Sequence, residues 1–259
     1  MGYIKQFYKR ATSPRYIYSG NRFKETFLEN ELIEMGPSKP LIRRIFCFWT
    51  GSNEMNLNRL SSIDSLRKTA GIEIVLITKD NLTDYIFDKY PLHKGFEYLS
   101  AVHKSDYLRC YFMHHYGGGY SDVKSCRCNW TSSFELLEKN PEKWILGYRE
   151  VGKRGVAQVE NREIRVDLIQ NWHILIGNGA YICRANTPFT SQWYSELHRR
   201  MDHYFDELVK NPGNIMGDNE GYPIPWTRIL GEIFHPLCLK YNQKIIFSNC
   251  VKPILKKYR

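Results

Sequence analysis

A chain of 259 residues, 42% hydrophobic and 25% charged, is long enough for one sizeable folded domain and too apolar for wholesale disorder. Its formal net charge is +10, with basic residues gathered at both ends, among them Lys9, Arg10, Lys256 and Lys257. That balance favours anionic partners such as nucleotides, nucleic acid, acidic glycans or an anionic membrane surface, although on charge alone a solvated surface is the better reading.

Residues 1–38 are polar, basic and aromatic with weak periodicity and end in Gly36-Pro37-Ser38-Lys39-Pro40; they read as an N-terminal extension. A single domain is expected over 39–259. Ile42–Trp49 (IRRIFCFW) reads as a buried strand, with Thr50-Gly51-Ser52-Asn53 as the loop at its C-terminal end. Asn58–Ala70 suits a helix and Ile72–Thr78 a second buried strand, and Asp80–Tyr90 reads as a short helix stopped by Pro91. This alternation argues for a parallel, Rossmann-like α/β sheet, where ligands sit at the C-terminal ends of strands. Trp49 and Thr50 therefore stand where a nucleotide is met, although a strand-end tryptophan is more often simple packing.

A helix is expected over Ser100–Tyr116, ended by Gly117-Gly118-Gly119 and followed by a short strand at Tyr120-Ser121-Asp122-Val123. Farther on, Trp144–Tyr148 reads as a strand and Val151–Val166 as a charged excursion or hairpin. Trp172–Cys183 reads as strand and turn around Gly177-Asn178-Gly179. Pro188–Leu208 is an amphipathic helix, Asn211–Pro225 is turn-rich, and Thr227–Tyr241 is helical with a break at Pro236.

No apolar run approaches membrane-spanning length and no secretory h-region is legible, so a soluble cytoplasmic protein with reduced thiols is expected. The seven cysteines are scattered, and Cys126-Arg127-Cys128 lacks the spacing and the second pair of a zinc knuckle. No nucleic-acid recognition motif accompanies the basic tails, which leave room for peripheral membrane contact.

Asp106 and Arg109 lie three apart on one helix face, where a buried pair can neutralise itself. The glycines that follow let backbone approach a ligand closely, and Asp122 just beyond can hold a metal-bound diphosphate or a ribose hydroxyl. His114 and His115 diverge on a helix and make a poor metal clamp. Asp218, Glu220 and Glu232 could supply a general base if the chemistry needs one, though loop acids are usually just solvated.

The stretch from His103-Lys-Ser-Asp-Tyr-Leu-Arg109 through Gly117-Gly-Gly-Tyr-Ser-Asp-Val-Lys124 resembles the signature of sugar transferases with an Asp-x-Asp (DXD) motif. Family 32 glycosyltransferases, capsular polysaccharide synthesis proteins and glucosylating clostridial toxins share it. Their pattern is Ser-Asp-x-x-Arg, a helix, Gly-Gly-x-Tyr, then Asp-x-Asp. The match is strong over residues 98–126 and weaker but collinear at Ile45–Trp49 and Asn178–Phe189.

The resemblance implies an α/β, GT-A glycosyltransferase fold with a Rossmann-like, mostly parallel sheet flanked by helices. Residues 39–126 would form the nucleotide-sugar-binding half and 127–259 the acceptor-side half. It implies transfer of a sugar from a nucleotide sugar, a UDP-sugar by preference, to a glycan acceptor hydroxyl with retention, in polysaccharide or glycan biosynthesis. By position, Trp49 and Thr50 border the base, and Asp106 and Arg109 bind donor-sugar hydroxyls, with Arg109 also reaching the diphosphate. Asp122 touches the ribose and a Mn²⁺ or Mg²⁺ ion, Asn178 lines the sugar pocket, and Trp226 and His235 close over the diphosphate.

Lys124 departs from the pattern, because the family carries a second acid there and an ammonium cannot coordinate a cation. Three readings stay open. Asp122 and other groups hold a metal without it, Lys124 itself supplies positive charge to the leaving diphosphate, or the protein is an inactive binder of nucleotide sugars or polyanions.

Overall fold

The computed structural model of the protein describes residues 16–29 and 39–255. Six strands form one sheet: β1 (Arg44–Trp49), β2 (Glu73–Thr78), β3 (Gly118–Ser121), β4 (Ile145–Arg149), β5 (Ile176–Cys183) and β6 (Ile245–Phe247). They lie in the order β2-β1-β3-β5-β4-β6. Only β5 opposes its neighbours; β1, β2 and β3 run parallel, as do β4 and β6. The expected α/β class with a mostly parallel sheet is thus what the chain forms.

Successive residues of a strand point to opposite faces. In β1 this sends Phe46 and Phe48 to one side and Ile45 and Cys47 to the other. The first face is covered by α2 (Ala101–His115), α5 (Pro188–Lys210) and α6 (Gly231–Lys240), and the second by α1 (Leu57–Thr69) and α3 (Thr131–Glu138). A strand covered on both faces has no reason to alternate polar and apolar residues. Hence the unbroken apolar run of β1. α4 (Arg162–Gln170) packs against α6 at the periphery.

Residues 16–29 dock on this body. Phe23 and Leu28 are buried, Tyr16 and Arg22 both bond Asp167 of α4, and Gln192 of α5 donates to the Phe27 carbonyl. The remainder of the expected extension and the last basic residues lie outside the described residues. Among those described, no helix is long and apolar enough to cross a membrane.

Four expectations are corrected. Residues 80–90 do not form a helix, and only a single turn, Leu82–Tyr85, is present. Hydroxyls of α2 and of the residue just past its end replace the helical partners: Tyr116 donates to the Tyr85 carbonyl, while Tyr111 donates to the Tyr90 carbonyl and receives the Phe87 N–H. Of the two readings for residues 151–166, the hairpin is absent: a single turn at Lys153–Gly155 leads to α4, which begins at Arg162 and which Asn161 caps by accepting from the Ile164 N–H. Pro236 does not break α6, whose start is Gly231 rather than Thr227. Gly177-Asn178-Gly179 is not a turn but part of β5, at a register irregularity opposite Tyr148. A Cβ on Gly177 would overlap the Tyr148 ring, so the glycines let the strand bulge across it.

The triple glycine has two separate jobs. Gly117 turns the chain out of α2 with φ +70°, and Gly118 enters β3 with φ +82°. A Cβ at Gly118 would also lie 2.9 Å from the Arg44 carbonyl oxygen of β1. Gly118→Ala is therefore expected to lose at least about 2 kcal/mol of stability, read as a lower denaturation midpoint. A midpoint equal to wild type would show that β3 can move away from β1.

Candidate active site

The C-terminal ends of β1, β3 and β4 and the opposed N-terminal part of β5 share one edge of the sheet. A cleft of about 670 Å³ opens along that edge, closed on its far side by the start of α2 and by residues 215–231. Trp49, Thr50, Asp106, Arg109, Asp122, Lys124, Asn178 and Trp226 all line it. They come from five places in the sequence, and the fold brings them together.

At its centre is a compact charge cluster. Arg109 of α2 lies 3.1 Å from Asp106 Oδ1 and 3.7 Å from Asp122 Oδ1, and donates to the Asn178 carbonyl at 3.0 Å. Its guanidinium also covers the Tyr120 ring at 4.4 Å. One buried cation thus ties α2 to β3 and β5. Asp122 is held from every side: Tyr120 donates to Oδ1 at 2.5 Å, Lys124 Nζ bonds Oδ2 at 2.7 Å, and its own N–H bonds the Gly179 carbonyl. Burial by itself would raise the Asp122 carboxyl, but Lys124 and Arg109 outweigh it and hold the group below the usual carboxylate value. Asp106 goes the other way, since burial outweighs Arg109 and raises it.

The donor set does not suit Mg²⁺ or Mn²⁺. Both oxygens of Asp122 already face a hydroxyl or a cation, and Lys124 Nζ stands against Oδ2 where a divalent ion would bind. Among the described residues, no three His, Cys, Asp or Glu side chains gather into a metal-binding group.

At the β1 end, Trp49 is fixed by its indole N–H donating to the Asn53 carbonyl, and the Arg59 guanidinium lies 5.7 Å from its ring. The Thr50 hydroxyl beside it is buried without a hydrogen-bond partner. The rim is formed by residues 211–230, which consume the first N–H groups of α2. Ala101 and Val102 donate to the Asn214 and Ile215 carbonyls, so the helix terminus is occupied by protein. His103 secures the same segment through Tyr222 Oη at 2.8 Å. Trp226 stands on this rim with 56% of its surface exposed, an unusual state for an indole.

The structure does not bring His235 to the cleft. It is wholly buried in α6, receives the Ala157 N–H on Nδ1, and burial lowers it from 6.5 to about 4. Neither do the three proposed bases qualify. Glu232 is buried between Thr227 and Arg228, while Asp218 and Glu220 stand on the outer loop. The carboxylate at the cleft is Glu150, just past β4, which nothing in the local sequence singles out.

His114, His115, His198 and His235 are all held neutral by burial, at about 4, 3, 4 and 4 respectively. The unfolded chain would protonate them near 6.5 while the folded chain resists. Their contribution is therefore intact above that pH and lost as pH falls towards 4, His235 alone by a few kcal/mol. The melting temperature is expected to drop steeply between pH 6.5 and 4; a flat profile would contradict this assignment.

Residues 6–125, which carry Trp49, Asp106, Arg109, Asp122 and Lys124, match the family described as capsular polysaccharide synthesis protein. This is one of the families whose signature residues 98–126 resemble. Among solved structures, one described as "PaToxG Glycosyltransferase" aligns with a TM-score of 0.38 and 12% identity, over 79% of this chain and 68% of that one. A likeness that remote carries no inference here. A search of curated proteins by sequence returns no match.

Proposed function

We propose that the protein is a glycosyltransferase that takes a sugar from a nucleotide-sugar donor, a UDP-sugar by preference, and passes it to a hydroxyl of a glycan acceptor in polysaccharide biosynthesis. The observation that carries this reading is the Asp106–Arg109–Asp122–Lys124 cluster at the strand ends, in the middle of a cleft with an indole at one end. Parallel α/β sheets bind nucleotides at this edge. The cluster pairs two carboxylates for ribose and sugar hydroxyls with two cations for a diphosphate. The capsular polysaccharide family match over residues 6–125 supports the same chemistry.

On this reading Trp49 and Thr50 border the base, with the unpartnered Thr50 hydroxyl available to its polar edge. The diphosphate lies against Lys124 and Arg109, and the sugar falls towards Asn178, whose side-chain oxygen has no protein partner. Trp226, exposed on the rim, closes over the bound donor. Departure of the nucleoside diphosphate develops negative charge on its terminal oxygen. A preplaced ammonium stabilises that charge without reorganisation. Transfer with retention, which the family resemblance implies, relies on such leaving-group stabilisation.

The test is a panel of UDP-, GDP- and CDP-sugars, followed by release of the nucleoside diphosphate. Hydrolysis or transfer with at least one donor is expected. A donor that binds and is never turned over would make the protein a nucleotide-sugar binder instead.

A further inference from the structure

Among the buried carboxylates of the described residues, Glu150 stands apart. Asp106 has Arg109, Asp167 has Arg22, Glu196 has Arg200, and Glu232 has Arg228. Glu150 is 7% exposed, and no described lysine or arginine lies within ion-pair distance of it. One oxygen, Oε1, takes the Val151 N–H at 2.6 Å. The other, Oε2, stands 3.9 Å from the Nε2 of His235, an imidazole that is itself buried and neutral. Burial accordingly raises the Glu150 carboxyl, with the Val151 N–H and the more distant Lys252 offsetting only part of the effect. A buried carboxylate left without a cation is costly unless something completes its hydrogen bonding. The cleft is where that partner can come from.

Its position says what kind of partner. Along the sheet edge the order is Trp49 on β1, Asp122 after β3, Asn178 on β5 and Glu150 after β4. Neighbouring strands are about 5 Å apart, so Glu150 lies about two spacings, roughly 10 Å, from Asp122 on the side away from Trp49. With base and diphosphate held at the β1 and β3 positions, the transferred sugar lies opposite β5. What meets Glu150 is beyond it. An anionic group is repelled there, whereas a hydroxyl donates to the open oxygen.

We propose that Glu150 is the acceptor-binding carboxylate: its Oε2 receives the hydrogen bond of the acceptor's sugar hydroxyl and sets that hydroxyl against the donor sugar. The proposal rests on the transferase reading above. It makes the acceptor a neutral, hydroxyl-rich saccharide at this contact, rather than a phosphorylated or carboxylated one.

The experiment compares wild type with Glu150→Gln and Glu150→Asp, using UDP-glucose, UDP-galactose and UDP-N-acetylglucosamine as donors. Water, methyl glucoside and methyl galactoside serve as acceptors. Glu150→Gln should hydrolyse donor within about twofold of wild type and bind UDP unchanged in a calorimetric titration, while transfer to the glycoside falls roughly tenfold to a hundredfold through the acceptor KM. Glu150→Asp should recover part of that loss. Equal loss of hydrolysis and transfer would place Glu150 on the donor, and undiminished transfer would remove it from the site; either overturns the proposal. Wild-type protein that neither binds nor hydrolyses any of these donors would instead defeat the transferase reading itself.

Discussion

Asp122→Ala is expected to lower turnover of the nucleotide sugar by at least about a hundredfold, because three groups of the cleft converge on this one carboxylate. Tyr120 and Lys124 bond it directly, and Arg109 stands 3.7 Å away. Without it, Lys124 loses the anion that fixes its ammonium over the cleft, and among the described residues Arg109 keeps only Asp106 as a charged partner. Removing one member of a buried ionic group also destabilises the fold, by about 3 kcal/mol or more. Asp122→Asn therefore belongs beside it. That variant keeps the shape and the Tyr120 contact but loses the charge, so a rate deficit with a near-normal melting temperature would locate the effect in the site. Near-normal rates in both variants would remove Asp122 from the chemistry.

Lys124→Met is expected to cost about a hundredfold or more in kcat, measured well below the lowered melting temperature that follows from leaving the Asp122 carboxylate one cation short. The ammonium is 12% exposed and bonds Asp122 at 2.7 Å, and among the described residues no other cation stands so close to that carboxylate. The converse substitution is more telling. Lys124→Asp restores the Asp-x-Asp pattern and places two carboxylates where one carboxylate and one ammonium now lie, a set of hard oxygen donors suited to Mn²⁺. Activity of Lys124→Asp should be negligible in EDTA and rise with added Mn²⁺, while wild type responds to neither. Wild-type activity abolished by EDTA and restored by Mn²⁺ would show instead that Asp122 turns away from Lys124 to hold the ion.

Much of this was legible where structure is local. α2 and its glycine stop were written in Ser100, the apolar face and Gly117, and the first two strands in unbroken apolar runs between turns. The site residues on α2 and β3 followed from one compound motif, whose spacing fixes Asp106, Arg109 and Asp122 relative to each other. The failures arose where distant residues overrule local preference. Residues 80–90 carry helical residues, yet three hydroxyl contacts from Tyr111 and Tyr116 satisfy part of their backbone in another shape. Gly177 and Gly179 signal a turn by composition, and only the Tyr148 ring lying across them explains a strand. Pro236 lies in the second turn of α6, where it removes the N–H that the Glu232 carbonyl would receive, and the helix nevertheless runs on to Lys240. Glu150 was invisible for the same reason. Its meaning depends on β4 pairing beside β5 and on a cation that never arrives, and neither is encoded nearby. His235, by contrast, sat next to plausible site residues in sequence and points into the core.

On the proposed reading, an internal ammonium stands where the families that this sequence resembles place a metal ion. Calorimetric titration of UDP into EDTA-stripped protein tests it most directly. The expected result is saturable binding that added Mn²⁺ does not strengthen and that Lys124→Met weakens at least about tenfold. Binding that is absent from the stripped protein and appears only with Mn²⁺ would contradict it.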